Sequence, residues 1–266
     1  MSNGATDDVA AEQEVPLPSG TMTTGVVRVG DTVRRPVGRW TPAVHSVLRH
    51  LERVGFEGAP RVLGIDDKGR EMLTYLPSDP APNWSDEALV AAGRLVRTLH
   101  EALADYVPAP DAVWRCPPLG RRQPGGSVGH NDLCTENTAF VDGVPYGFFD
   151  WDMAGPFRPQ YDLALAAIAF APLRPDRYWP RPHFPEPPDR MERLRLFLDA
   201  YGVEDRLAML DVIETFQFES LHETLHFGAR QISPYRHFLA RGEYRFRLVE
   251  LEWMALNREA LLDALR

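Results

Sequence analysis

His130-Asn131-Asp132, with Asn137 five residues beyond the aspartate, brings together residue types that suit the movement of a phosphate. Phosphoryl transfer needs an acceptor hydroxyl held in place, its proton accepted, and the phosphate charge neutralised by a hard cation. In the pattern H-x-D-x-x-x-x-N, Asp132 accepts the proton and the Asn137 side-chain oxygen coordinates Mg²⁺. His130 stands next to the base and either packs to orient the loop or serves as a second candidate catalytic residue. Thr138-Ala139-Phe140-Val141 and Val144 to Phe149 flank Asp142-Gly143, a two-residue hairpin signal. Folding about that turn pairs Asn137 roughly with Phe148 and brings Asp150 to where a second metal ligand belongs. Asp152, two residues on, reads either as support for that site or as a solvated carboxylate.

These residues need a scaffold, and the chain of 266 residues, 44% hydrophobic and 25% charged, is long enough to bury a core. Residues 1–20 lack hydrophobic periodicity and are expected to be a disordered tail. Val26 to Val29 and Thr32 to Arg35 around Gly30-Asp31 predict a hairpin, and Arg61 to Ile65 and Glu71 to Leu76 around Asp66 to Gly69 predict a second. Between them, Thr41 to Arg53 has the apolar spacing of an amphipathic helix, with Thr41 as cap and Pro42 at its start. The reading divides the chain into a small nucleotide-binding lobe, 21–79, and a helical catalytic and acceptor-binding lobe, 80–266. Helices are predicted over Ser85 to Tyr106, Asp189 to Tyr201, Glu204 to about Arg230 and Tyr244 to Leu265. The seven prolines from Pro172 to Pro188, interleaved with Tyr178, Trp179 and Phe184, make either a surface excursion or an aromatic wall over the acceptor.

Composition bounds the partners. A net charge of -9 argues against a nucleic-acid binder. No apolar run is long enough to span a bilayer, and the polar, acidic Met1 to Pro18 does not read as a signal peptide, so a cytoplasmic protein is expected. Cys116 and Cys134 have no metal-ligand spacing and should be reduced thiols.

The segment from Gly129 to Ala164 resembles the aminoglycoside phosphotransferase and choline kinase-like family. That family has H-x-D followed by N in its catalytic loop, and D-W-[DE], here Asp150-Trp151-Asp152, at the end of its metal strand. Tyr161-Asp162-Leu163-Ala164 is similar to the family's D-L-A element, where the aspartate anchors the catalytic loop. Val33-Arg34-Arg35-Pro36 and Pro42-Ala43-Val44-His45 most resemble short, trifolitoxin-immunity-type members. The resemblance implies a two-lobed, protein-kinase-like α+β fold with a small β-rich N-lobe and a larger, mainly helical C-lobe. It also implies ATP or GTP as co-substrate with Mg²⁺, and a small-molecule or peptide hydroxyl as acceptor.

Several family features are missing. Kinase-like enzymes hold the α and β phosphates with a strand lysine paired to a helix glutamate, but Lys68 is the only lysine and sits in a turn. Arg34 or Arg35 is the substitute, Arg34 preferred, because guanidinium grips phosphate oxygens through paired bonds and the two residues point to opposite strand faces. His45 occupies roughly the position of the helix glutamate, and no glycine-rich phosphate loop is visible. Backbone groups near Leu73 and Tyr75 are expected to meet the base. These departures keep open a kinase-shaped binding or immunity protein that does not turn its ligand over. A different chemistry is written at His222-Glu223-Thr224-Leu225-His226, the H-E-x-x-H pattern of zinc hydrolases, with Glu243 or Glu250 as a conceivable third ligand.

Overall fold

The computed structural model describes residues 13–17, 22–79, 84–117, 120, 127–178, 184 and 186–266. They form two compact units: residues up to Gly38 with Arg61–Tyr75, and Arg39–Pro60 with Leu76–Arg266.

The first unit is an antiparallel sheet of five strands, β1 (Val15–Pro16), β2 (Val27–Val29), β3 (Thr32–Pro36), β4 (Val62–Ile65) and β5 (Arg70–Thr74), in the order β1-β2-β3-β5-β4. Both predicted hairpins are present. In the second, Asp66 Oδ1 accepts the Lys68 and Arg70 amides at 3.0 and 2.8 Å, an aspartate-built turn. Strand β1 corrects the expectation of a tail: Val15 pairs with Arg28 and Pro16 with Val27. Glu14 next to it accepts from Lys68 at 2.7 Å and Arg70 at 2.9 Å. The bond from Arg70 and then that from Lys68 lower its carboxyl to about 2. The lone lysine is thus committed to a surface ion pair.

The second unit begins with α1 (Thr41–Arg53), whose N-cap is Trp40 and not the expected Thr41; the Trp40 carbonyl accepts the Ala43 and Val44 amides. By its contacts α1 groups with the larger unit and not with the strands that flank it in sequence. The reason is polar as well as apolar, because buried His50 hydrogen-bonds the Ala102 carbonyl at 2.8 Å on α2 (Asp86–Leu103). Ser85 caps α2 as predicted, accepting the Ala88 amide at 3.2 Å. Two short strands, β6 (Val128–Gly129) and β9 (Gly155–Pro156), pair and close the base of the excursion that contains the antiparallel hairpin of β7 (Thr138–Val141) and β8 (Val144–Phe148).

The remaining helices are α3 (Pro159–Phe170), α4 (Arg190–Tyr201), α5 (Arg206–Ala229), α6 (Tyr235–Ala240) and α7 (Tyr244–Leu265). Asp189 and Asp205 cap α4 and α5 through their side chains. Helix α3 carried no periodic signal because it is apolar on nearly every side, as a helix enclosed by protein is. Gly93 on α2 lets α4 approach: a Cβ there would lie 2.8 Å from Ala200 Cβ and 2.9 Å from the Phe197 carbonyl. Trp84 anchors the core of this unit, stacked on Phe170 at 4.6 Å and edge-on to Phe140 at 4.9 Å between centroids. In the proline-bearing loop, Phe184 is buried under the Arg193 guanidinium and Tyr178 packs beside Phe246. Trp179 lies outside the described residues. No helix among the described residues is long and apolar enough to cross a membrane.

Trp84 is 1% exposed, and its ring contacts join β7 through Phe140 to α3 through Phe170. Trp84→Ala is expected to lower unfolding free energy by about 3–5 kcal/mol, checked by urea denaturation monitored on the remaining tryptophans.

Candidate active site

The catalytic-loop sequence leaves β6 at Gly129 and turns at once, because Asn131 is in the left-handed region at φ 63°, a conformation that asparagine tolerates. One buried carboxylate fixes this turn. Asp162, from the first turns of α3, accepts the His130 amide on Oδ2 and the Asn131 amide on Oδ1, both at 2.9 Å. Gly129 must lack a side chain, since a Cβ would lie 2.7 Å from Asp162 Oδ2. The Asn131 side chain then donates to the Met153 and Gly155 carbonyls at 3.2 and 3.1 Å, tying the loop to the segment after Asp150.

Asp132 and Asn137 meet as their spacing predicts. Asn137 Nδ2 donates to the Asp132 carbonyl and to Asp132 Oδ2, both at 2.9 Å. Both neighbours are acceptors, so the amide nitrogen must face them and its Oδ1 points elsewhere. The hairpin register is Thr138 opposite Phe148, one residue from the expected pairing, with a bulge after Ala139. The Phe149 amide donates to the Asn137 carbonyl at 3.0 Å, so Asp150 directly follows the residue that is bonded to Asn137. Asp150 adopts φ 61° and ψ 63°, a second left-handed position that starts a short 3₁₀ turn, Trp151–Met153.

His130 has no exposed surface, so of its two readings the structure fits packing behind the loop and not contact with a substrate. Burial pushes its imidazole below the ordinary value against the opposing carboxylates of Asp162 and Asp150, so the ring is neutral at pH 7. With Nε2 protonated it donates to the Phe149 carbonyl at 3.1 Å, and its ring packs 4.5 Å from Trp151. It positions the residue before Asp150.

Asp152 is buried, not solvated. Its Oδ1 accepts the Trp40 indole at 2.9 Å and its Oδ2 the Arg115 guanidinium, which also lies 4.6 Å over the Trp40 ring. The D-W-D aspartate therefore anchors the start of α1. Trp40 and Arg115 lie far from it in sequence, and neither has a spacing that would have marked it.

In the sheet unit, Arg35 is buried and its Nε lies 3.2 Å from Glu71, its direct cross-strand neighbour on β5. A carboxylate partner for a strand arginine thus exists, supplied by a strand instead of a helix. Arg34, on the opposite face of β3, is half-buried, and its Nη1 has no hydrogen-bond partner among the described residues. The backbone expectation at Leu73 and Tyr75 is narrowed: Leu73 is a buried sheet residue, and the Tyr75 amide already donates to the Asp31 carbonyl at 2.8 Å. The Tyr75 ring sits 4.0 Å under the Arg28 guanidinium.

The zinc motif does not assemble. On α5, Glu223 is buried and accepts from the Tyr235 hydroxyl at 3.5 Å, while Arg230 bonds His226 Nδ1 at 3.1 Å. Burial, then Arg230 and His222, lower the His226 imidazole further. Glu250 is paired with Arg174 and Arg247, and Glu243 with Arg241. Among the described residues no three His, Cys, Asp or Glu side chains could hold a metal together.

Burial alone would raise the Asp162 carboxyl, but the bond from His100, the neighbouring imidazoles and the Asn131 amide together hold it below its ordinary 3.8. A depressed folded value means that its contribution is complete above pH 3.8 and is lost as pH falls through the lower folded value. Asp162→Asn, which turns one acceptor toward an amide donor, is expected to cost about 1–3 kcal/mol at pH 7. The gap to the parent protein should close below pH 3.8, which urea unfolding on both sides of that pH measures.

The profile of the phosphotransferase enzyme family, APH, matches residues 26–210. A trifolitoxin immunity protein from Rhizobium leguminosarum bv. trifolii is 37% identical over 212 residues, spanning 76% of this chain and 80% of that protein. Among solved structures, a choline/ethanolamine kinase family protein from Mesorhizobium loti superposes with a TM-score of 0.55 at 17% identity, covering 97% of this chain and 93% of that one. The ternary complex of the aminoglycoside phosphotransferase APH(2")-IIa with streptomycin and ATP gives a TM-score of 0.59 at 10% identity, covering 89% and 92%. These likenesses show a two-lobed, protein-kinase-like α+β fold, with the sheet unit and the helical unit as its parts. With the family profile spanning both the strand that carries Arg34 and the Asp132 to Asp162 centre, the chain belongs to the phosphotransferase enzyme family.

Proposed function

We propose that this chain transfers the γ-phosphate of ATP or GTP to a hydroxyl of a small molecule, with Asp132 as general base. The observation that carries the reading is the Asn137 amide. Its nitrogen is spent on Asp132, which orients the base and leaves the amide oxygen to face a cation on the side where Asp150 follows. An amide oxygen and a carboxylate are hard donors of the kind Mg²⁺ takes, so Asn137 and Asp150 fit that ion. When bound, the ion supplies charge neutralisation at the phosphates. Asp132 accepts the acceptor's proton, and His130 and Asp162 hold the loop from which it projects.

Arg34 is the side chain proposed to grip the phosphates. Arg35 is engaged with Glu71, whereas the Arg34 guanidinium is not consumed by a carboxylate among the described residues. A charged group without a counter-ion in a partly buried setting is unfavourable unless an anion supplies the balance, and a nucleotide phosphate does so.

The 37% identity to a trifolitoxin immunity protein favours a second reading, in which the chain protects by binding a ligand without turnover. Calorimetric titration with ATP and Mg²⁺, followed by nucleotide-consumption assays across hydroxyl-bearing acceptors that include aminoglycosides, separates the two. Binding with turnover supports transfer, and no nucleotide binding at millimolar concentration removes it.

Two variants test the roles. Asp132→Ala is expected to reduce kcat by about 10²- to 10⁴-fold with the unfolding midpoint unchanged, and unaltered turnover would take Asp132 out of the mechanism. Arg34→Ala is expected to weaken nucleotide binding by about 1.5–3 kcal/mol, as loss of a charge-assisted contact does, whereas unchanged affinity in the same titration would exclude it.

A further inference from the structure

Two residues outside every motif in the sequence extend the hydrogen bonding of Asp162 into the helical scaffold. His100, in the last turn of α2, places Nε2 3.4 Å from Asp162 Oδ2, and its side chain is 9% exposed. Its Nδ1 lies 3.0 Å from the Tyr201 hydroxyl at the end of α4, with the two rings edge to face at 5.6 Å. The direction of this chain follows from the acceptor at its end. Ionised Asp162 only accepts, so Nε2 carries a proton, and Nδ1 shares the second hydrogen bond with the Tyr201 hydroxyl. Burial raises the Tyr201 phenol, against the pull of Arg97, so it remains a donor.

We propose that His100, oriented by Tyr201, is a positioning residue of the phosphotransfer centre: it fixes the Asp162 carboxylate that in turn holds the His130 and Asn131 amides and aims Asp132. A carboxylate bound only by two adjacent backbone amides can still tilt about its Cβ–Cγ bond. A third donor from a different helix removes that freedom and couples the catalytic loop to the packed α2–α4 pair. The surrounding charges leave the link intact: Arg97 lies over the Tyr201 ring at 5.6 Å and is bonded to Glu101 at 2.6 Å. His100 also lines a cleft of about 140 Å³ together with Leu103, Gly129, Phe157 and Arg158. Truncation of the imidazole therefore leaves a hole that opens into the cleft and is accessible to a small molecule.

The kinetic part of this inference rests on the phosphotransfer reading, and the structural part does not, so the test has two arms. Amide hydrogen exchange at His130 and Asn131 is compared in the parent protein, His100→Ala, His100→Gln and Tyr201→Phe. Exchange at those two amides should accelerate about tenfold or more in His100→Ala while α5 and α7 remain protected. His100→Gln keeps a donor near the Nε2 position and should restore most of the protection. Tyr201→Phe should fall between the two, and it carries the test if His100→Ala does not fold. Millimolar imidazole should rescue His100→Ala through the cleft. In the turnover arm, His100→Ala should lower kcat by about 10- to 100-fold with nucleotide KM nearly unchanged, the signature of a misaimed base. Unchanged exchange at both amides overturns the proposal, as does equal loss in the alanine and glutamine variants or a uniform rise across the helical core. If the parent protein shows no turnover with any acceptor, the phosphotransfer reading fails and the exchange arm alone decides the positioning role.

Discussion

A single buried carboxylate, Asp162, holds the candidate centre together. It has no exposed surface and accepts two consecutive backbone amides at 2.9 Å, an arrangement that keeps a charge in a dry interior only because its oxygens are bonded. The left-handed turn at Asn131 is strained for most residues and persists because those two bonds and the Asn131 side chain define it from both ends. Remove that carboxylate and the loop keeps its sequence but loses its aim. The rest of the helical unit can be understood as what delivers Asp162 and the loop to the same place. Helix α3 supplies the carboxylate, β6 and β9 close the base, and the glycine at 129 lets the two approach.

A second layer of constraint sets where the β7–β8 hairpin ends. The β7–β8 hairpin returns Phe149 to Asn137, while buried His130 grips the Phe149 carbonyl. Trp151 donates its indole to the Phe148 carbonyl at 2.9 Å, and Asp152 reaches outward to Trp40 and Arg115. Consecutive residues of one short segment thus differ in setting: Asp150 is half-buried, and its two neighbours are locked into the scaffold. The same D-W-D string therefore holds one half-buried carboxylate and one that secures the first turn of α1.

Much of this was legible in the sequence. Spacing alone placed Asp132 against Asn137, the Asp142-Gly143 turn predicted the hairpin to within one residue, and the Ser85 cap marked a helix start. What escaped shares a physical cause: it depends on pairs brought together only by tertiary folding. Glu71 opposite Arg35, His100 against Tyr201 and Arg115 on Asp152 are separated by 36 to 101 residues, and none carries a local pattern. Helix α3 escaped because amphipathic periodicity vanishes when every face is covered. Strand β1 escaped because two residues of pairing leave almost no alternation to read. The H-E-x-x-H string shows the converse, a local pattern that the fold uses for packing because Glu223 turns inward.

The commitment of Lys68 to Glu14 on a surface turn has a practical consequence for how such proteins are surveyed. Acyl-phosphate derivatives of ATP and GTP report nucleotide sites by transferring a tag to a lysine amine beside the phosphates. Here the sole side-chain amine of the chain lies in the hairpin turn, paired with a carboxylate, and β3 carries the guanidinium groups of Arg34 and Arg35. Guanidinium stays protonated at working pH and is a poor nucleophile toward such reagents. Chemoproteomic catalogues built on amine acylation would pass over this chain, and an arginine-directed dicarbonyl reagent protected by nucleotide is the labelling chemistry matched to it.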